Sequence, residues 1–319
     1  MFPLNCLVTG GAGFIGSHLV DALVARGHGV TVIDNLSTGR AEFIQGHIDA
    51  GKVRFIRGDL LDRNDILRAM ENVEIVFHLA ANPDIRHGTA NPDVDLNQGV
   101  VATHNLLEAM RQKSVKKIVF ASSSVVYGEA KKIPTPEDYG PLMPISLYGA
   151  AKLGAEGFIM AYCGSYGFQA WIYRFANVVG PRGTHGVIVD FINKLKKNQK
   201  ELEILGNGRQ TKSYLSVEDT VEGMLFGLEH ANEPVNIFNL GSDDWINVTR
   251  IAEIVVEELG LSNVEFRYTG GDRGWAGDVP RMLLSTEKIR ALGWKPVHTS
   301  EEAVRRTVRA LIKELWRFD

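Results

Sequence analysis

The chain has 319 residues, 45% hydrophobic and 23% charged, with a net charge of −3. That balance fits a soluble globular protein of about two domains, and Lys and Arg spread throughout leave no basic patch for nucleic acid. No apolar run reaches the ~18 residues of a membrane span, and Cys6 and Cys163 fall in core-like elements without metal-ligand spacing, so neither a metal site nor a disulfide is expected.

Leu4 to Thr9 reads as a short buried strand. The residues before it carry no charged segment followed by an apolar one, so no leader is expected and a cytoplasmic protein is. The strand ends in Gly10-Gly-Ala-Gly13-Phe-Ile-Gly16, and an amphipathic helix follows from Phe14 to about Arg26. Gly11, Gly13 and Gly16 fit G-x-G-x-x-G, and Gly10, Gly13 and Gly16 fit a wider-spaced variant. Such glycines permit a tight turn and close approach of backbone to a pyrophosphate, which the helix N-terminus then attracts. The next strand, Gly29 to Ile33, delivers Asp34 at its carboxyl end, where an acid meets the adenosine ribose. A carboxylate there repels a 2′-phosphate, so NAD is favoured over NADP, and Arg40 reads as a solvated loop charge. Strands Val53 to Arg57 and Glu74 to His78 lead to Gly58-Asp59-Leu60 and Leu79-Ala80-Ala81. His78 reads as a satisfied core histidine.

A long helix is expected over Asp93 to Gln112, then a fifth strand, Lys116 to Ala121, ending in Ser122-Ser123-Ser124-Val-Val-Tyr127-Gly128. Those hydroxyls are either a plain polar exit or donors held at the ligand edge of a sheet. A helix from Ser146 to about Tyr166 carries Tyr148 and Lys152 four residues apart on one face, about 6 Å along the axis. A cation beside a phenol lowers its pKa from about 10 and suits it to act as a general base. The strand Gln169 to Phe175 completes an alternation that implies a parallel sheet with right-handed crossovers. The fold class is therefore α/β: a Rossmann-like doubly wound sheet over residues 1–177, then a smaller mixed α/β domain over 178–319, with some elements returning to the first. In the second half, helices Val187–Lys197, Val217–His230, Thr249–Leu259 and Ser300–Trp316 alternate with short strands at Glu201–Leu205, Val235–Leu240 and Val264–Tyr268.

Taken together, Thr9-Gly-Gly-Ala-Gly-Phe-Ile-Gly16, Gly58-Asp-Leu60, His78-Leu-Ala-Ala81, Ser122-Ser-Ser-Val-Val-Tyr-Gly128, Tyr148-x-x-x-Lys152, Arg174-Phe-Ala-Asn177 and Arg273-Gly-Trp-Ala-Gly-Asp278 resemble the extended short-chain dehydrogenase/reductases that act on nucleotide sugars. The chain is most similar to the UDP-glucose (UDP-galactose) 4-epimerases over essentially its whole length. The resemblance implies that Gly10, Gly13, Phe14, Ile15 and Gly16 line the NAD pyrophosphate. Asp34 with Asn35 then meets the adenosine ribose, and Asp59 with Leu60 borders the adenine. Leu79, Ala80, Ala81, Asn97, Ser122 and Phe175 flank the cofactor further along. Ser123, Tyr148 and Lys152 take the catalytic positions, and Tyr148 and Lys152 also touch the cofactor. Ser124, Asn177, Val187, Lys212, Arg273, Asp278 and Met282 fall on the substrate side.

The same resemblance implies the chemistry. Tyr148 removes the sugar 4′-hydroxyl proton with Ser123 bridging, hydride leaves C4′, and its return to the opposite face inverts the centre. The related 4,6-dehydratases need carboxylates just after the catalytic Ser/Thr, and the decarboxylases carry a Glu there. Ser124 and Val125 stand in those places and cannot act as acid or base. Two departures stand out: Lys212 replaces an Arg of the phosphate-binding motif and supplies no bidentate fork, and Trp275 stands where a second Arg is usual, leaving Arg273 to reach the phosphates. Met282 holds a position that selects between hexoses and N-acetylhexosamines. A homodimer through helices Asp93–Gln112 and Ser146–Tyr166 is expected from the resemblance, and an NAD(H)-binding regulatory protein is the non-enzymatic alternative.

Overall fold

The computed structural model describes residues 3–275 and 277–316. Met1 and Phe2, the start of the stretch read as leaderless, lie outside them.

Seven strands form the main sheet. In chain order these are β1 (Asn5–Thr9), β2 (Gly29–Asp34), β3 (Val53–Arg57), β4 (Ile75–His78), β5 (Lys117–Ser123), β6 (Gln169–Phe175) and the strand Val235–Leu240. In space they run Val235–Leu240, β6, β5, β4, β1, β2, β3. Thr9 pairs in parallel with Ile33 on one side and with His78 on the other. The order therefore reverses at β1, and the crevice beyond the ends of β1 and β4 is where an open α/β sheet receives a ligand. β1 and β4 are buried on both faces, as the near-continuous apolar runs Cys6-Leu-Val8 and Ile75-Val-Phe77 require.

The compact units do not follow a single cut in the chain. The first takes residues up to Val126, Ser146–Arg174 and Met224–Phe238, while the second takes Tyr127–Ile145, Phe175–Gly223 and residues from Asn239 onward. The first unit's core packs Leu7, Ile33, Val76, Leu106, Ile118, Ile159 and Ile172 together. The second unit's core is built on Ile192, Leu202, Ile204, Ile254, Val255 and Val308. Val235–Leu240, read from the sequence as part of the mixed half, is the seventh strand of the main sheet.

The helix expected over Asp93–Gln112 is instead three consecutive pieces: Pro92–Asp95, a π-helical turn Leu96–Val101, and Ala102–Gln112. A π turn adds a residue to the helical repeat and often marks a functional position. Gly99 permits it here, since a Cβ at that position would sit 2.7 Å from the Cβ of Ala151. The helix Leu147–Tyr166 begins where the sequence places it, with the Ser146 hydroxyl accepting from the Gly149 amide, and it ends at Gly167 with φ +66°.

Candidate active site

At the switch point, Gly10 adopts φ +69°, and a Cβ on it would lie 2.8 Å from the Ala80 amide nitrogen. The Gly10 amide donates to Ile33 and its carbonyl accepts from Gly13 at 3.1 Å. A Cβ on Gly16 would fall 2.1 Å from that same carbonyl oxygen, so only glycine lets the helix Phe14–Ala25 start this close to the strand end. No side chain caps that helix, which leaves the amides of its first turn to a ligand. The residues needed to cradle a pyrophosphate are present and shaped for it.

The Asp34 carboxylate is fixed by two amides, Ala12 to Oδ2 at 3.0 Å and Leu36 to Oδ1 at 2.9 Å. Burial pushes its pKa up, while these two bonds pull it down. Each oxygen keeps a lone pair for a ribose hydroxyl. Leu36 takes φ +60°, a strained value for a branched residue, and the bond to Asp34 holds it there. Asn35 donates to Asp59 at 3.1 Å, so the ribose and adenine candidates form one connected group. Leu60 is buried, and Leu79, Ala80 and Ala81 are half-buried at the end of β4.

His78 is a core histidine, as its sequence position suggested, and its bonds determine its tautomer. The Leu79 and Ala80 amides donate to the Thr9 hydroxyl, which donates to His78 Nδ1 at 2.8 Å. His78 Nε2–H then donates to Thr103 Oγ1 at 2.9 Å, and Thr103 donates to the Gly99 carbonyl at 2.5 Å. Burial drives the imidazole pKa down to about 3, so the ring is neutral. The chain of bonds ties the cofactor edge of the sheet to the π turn.

Tyr148 and Lys152 lie on the same face of helix Leu147–Tyr166. Lys152 is 4% exposed, its Nζ 5.7 Å from the Tyr148 ring centroid and donating to the Ala121 carbonyl at 2.6 Å. Burial lowers its pKa to about 8, partly opposed by Glu156 and Asp95. The expectation of a depressed Tyr148 pKa is corrected: burial pushes it up, and the Asp95 charge adds to the rise. Desolvation and the Asp95 charge both favour the phenol over the phenolate. Ser123, half-buried, ends β5, two residues beyond the expected end at Ala121, and its Oγ accepts from the Val125 amide at 3.4 Å.

Other residues depart from their expected places. Ser122 is buried, and its hydroxyl donates to Glu156 at 2.5 Å rather than facing a ligand. Asn97 is exposed on the π turn. Sequence reasoning missed Asp95, which is 3% exposed, accepts from Asn82 at 3.0 Å and leaves Oδ2 without a partner. It also missed Glu156, which repeats the Tyr148–Lys152 spacing once more along the helix, and gave no role to Arg174, although Arg174 opens one of the motifs.

In the second unit, Lys212 pairs with Asp278 at 2.5 Å and lies over the Trp275 ring at 5.4 Å. Arg273 pairs with Glu129 and also donates to the Asp278 carbonyl at 2.8 Å. Asp278 is buried, its second oxygen accepting from the Gly274 amide. The cations expected for phosphates thus hold carboxylates here, and Asp278 serves Lys212. Asn177 and Val187 are half-buried, Val187 at the start of helix Val187–Lys197, and Phe175 is buried. Met282 sits opposite Lys212 in a short parallel pairing.

Residues 6–241 match the family described as NAD dependent epimerase/dehydratase. The chain belongs to that family. This epimerase/dehydratase family member is 46% identical to a solved UDP-galactose 4-epimerase, which it matches with a TM-score of 0.88 over 98% of its own length and 100% of that chain. It is 34% identical to the UDP-glucose 4-epimerase of Mycolicibacterium smegmatis over 96% of this chain and 97% of that one. A solved Thermus thermophilus UDP-glucose 4-epimerase in complex with NAD matches with a TM-score of 0.85 at 34% identity, covering 96% and 98% of the two chains. Relatives with other activities are nearby too: UDP-glucuronic acid decarboxylase 2 of Arabidopsis thaliana is 33% identical over 92% of this chain and 65% of that one. The protein is therefore an enzyme of the epimerase/dehydratase family with NAD as its cofactor, and its seven-stranded sheet is the family's Rossmann-like fold.

Proposed function

We propose that the enzyme is a UDP-hexose 4-epimerase, with UDP-glucose and UDP-galactose as its principal pair and UDP-N-acetylhexosamines as further substrates. The carrying observation is the composition of the segment after β5. Ser123 is followed by Ser124 and Val125, so no carboxylate stands there to move a proton at C5 or assist decarboxylation. The identities with UDP-glucose and UDP-galactose 4-epimerases support the same reading.

Bound NAD supplies the hydride acceptor and later the donor at C4′. The residues of the chain handle the proton. Tyr148, poised as a phenol, passes its own proton to bulk and receives that of the 4′-hydroxyl, with the Ser123 hydroxyl bridging the two oxygens. The Lys152 ammonium, 5.7 Å from the ring, lowers the cost of the phenolate. The proton taken up by Tyr148 is then returned through the Ser123 hydroxyl to the 4′-oxygen as the hydride returns to C4′. Lys212 and Arg273 exchange their carboxylates for the diphosphate, Asn177 holds it from the strand Asn177–Val179, and Val187 borders the uridine. The nucleotide stays anchored while the sugar turns over. No net oxidation results, so the cofactor remains bound and is recycled. Asp278 holds Lys212 ready, and Met282, half-buried and flexible, admits both sugar classes.

A two-fold dimer is part of the proposal. Leu96 and Val101 on the π turn and Phe158 and Tyr166 on helix Leu147–Tyr166 are exposed by 37–53% on the two helical runs expected to pair. A reducing cytoplasmic setting fits the free, buried Cys6 and Cys163. Product analysis by NMR over a panel of UDP-sugars, with no NAD added, tests the function. UDP-galactose from UDP-glucose is the expected result. A 4-keto-6-deoxy sugar, or a pentose from UDP-glucuronic acid, would replace this reading with dehydration or decarboxylation.

A further inference from the structure

Glu156 lies one turn beyond Lys152 on the same face of helix Leu147–Tyr166 and is 0% exposed. A carboxylate removed from water costs several kcal/mol unless its oxygens are satisfied. Here they are. Arg174 donates Nη2 to Oε2 at 2.7 Å and Nε to Oε1 at 3.1 Å, a two-point contact from β6. The Ser122 hydroxyl, from β5, donates to Oε1 at 2.5 Å. Two neighbouring strands and the catalytic helix are thus pinned at one carboxylate. Burying an ion pair is a poor route to stability, since apolar replacements of similar volume are often as stable. The placement points to a different role.

Both ends of the cluster abut the candidate catalytic groups. Ser122 directly precedes Ser123, and Lys152 Nζ is anchored on the carbonyl of Ala121, the residue before Ser122. Around the Lys152 ammonium lie mostly apolar or neutral groups: the Phe120 ring at 4.9 Å, the Tyr148 ring at 5.7 Å, and His78, neutral on β4. Asp95, at the end of helix Pro92–Asp95, is the second anion acting on it, with His87 of helix Ile85–Ala90 acting on Asp95. On helix Ala102–Gln112, Glu108 is taken up by Arg111 and Tyr162, and His104 packs on Phe158, both further along the catalytic helix.

We propose that Glu156, held by Arg174 and Ser122, is a positioning residue that keeps Lys152 in its ammonium form and sets the strand end from which Ser123 acts. The proposal rests on the Tyr148–Lys152 reading above for its consequence in turnover. With the Glu156 charge gone, only Asp95 opposes the desolvation of Lys152, and the proton leaves at lower pH. A neutral Lys152 no longer favours the Tyr148 phenolate.

The test uses the full-length holoenzyme in two forms. Glu156→Gln removes the anion but strands the Arg174 charge. Glu156→Met with Arg174→Met removes both charges at similar volume and keeps the test open if the single variant fails to fold. The direct readout is the titration of Lys152 by NMR of ¹³Cε-labelled lysine, assigned with Lys152→Arg. In the parent the midpoint is expected near about 8. In Glu156→Gln it falls by about one unit or more, a roughly tenfold loss of ammonium at a given pH, and in the double variant, which loses the Arg174 cation as well, it falls by less. The alkaline limb of kcat falls with it, and Glu156→Asp recovers part of the shift. A folded variant whose Lys152 titrates as in the parent overturns the proposal and leaves the cluster a structural brace. If the titration shifts while Tyr148→Phe retains turnover, the charge assignment stands and the catalytic reading of the pair fails.

Discussion

The two units hold their charged groups in opposite ways. In the first, the polar groups around the candidate catalytic centre are nearly sealed. Arg174 and Glu156 are 3% and 0% exposed, and Asp34 is gripped by two amides. His78 is locked between Thr9 and Thr103. In the second, Arg273 and Glu129 are paired with side chains 42% and 47% exposed, while Lys212 and Asp278 form an intermediate case, with side chains 15% and 3% exposed. Elsewhere in that unit Arg250, Arg305 and Arg309 share the carboxylates of Glu257, Glu258 and Glu301 near the surface. A sealed pair cannot change partners without exposing an unsatisfied charge, whereas an exposed pair can trade one anion for another cheaply. The first arrangement suits groups that must stay fixed during proton transfer. The second suits groups that release a carboxylate when a diphosphate arrives.

The sharpest way to break this contrast is at Tyr148. Tyr148→Phe keeps the ring and its packing and removes the hydroxyl proposed above to take the 4′-proton. Turnover is expected to drop by about 100- to 10,000-fold, with NAD content unchanged by absorbance after denaturation. Turnover within tenfold of the parent would show that the sealed unit does not house the base.

The sealing also makes a prediction about acid. The unfolded chain protonates a histidine near pH 6.5, while folded His78 resists until about 3. Between those values the unfolded state binds the extra proton, so stability falls as the pH falls, by up to about 1.4 kcal/mol per unit. His78→Asn should lower stability at pH 7 yet flatten this slope in denaturant titrations from pH 6.5 to 4. Parallel slopes for parent and variant would mean that His78 takes up its proton in the folded state.

Much of this was legible before the structure, for identifiable reasons. The glycine turn and Asp34 at a strand end are local signals, each set by backbone geometry within a few residues, and the elements carrying them, like the helix expected from Ser146, fall within one or two residues of expectation. Val235–Leu240 gave no local sign of which sheet it joins, because strand order is decided by partners far along the chain. The π turn was hidden, since its spacing differs from the α repeat by a single residue and Gly99 works only against Ala151. The pKa of Tyr148 was misread because the sequence displays the cation four residues away but not the desolvation, nor Asp95 arriving from another helix.

The second unit offers a milder test. Lys212→Ala removes one of the cations proposed for the diphosphate and leaves Asp278 without its ion-pair partner. Binding of UDP-sugar should weaken about tenfold, the scale of one charged hydrogen bond, with kcat within about twofold. Equal affinity by calorimetry would remove Lys212 from the diphosphate site.

The smallest effect is expected at Glu129, and it bears most directly on the comparison. The Arg273–Glu129 pair is exposed on both sides, so solvent screens it and its net worth is about 0–1 kcal/mol. Glu129→Gln should leave the melting temperature within about 2–4 °C of the parent. Releasing Arg273 from its carboxylate should meanwhile tighten UDP-sugar binding a few-fold, because the diphosphate no longer competes with an internal anion. Breaking a sealed pair has the opposite signature, a loss of about 3–5 kcal/mol with no gain in affinity. If Glu129→Gln destabilised the protein on that scale, the second unit's ion pairs would be fixed structural elements like those of the first, and the distinction between groups that stay and groups that trade would fail at its weakest pair.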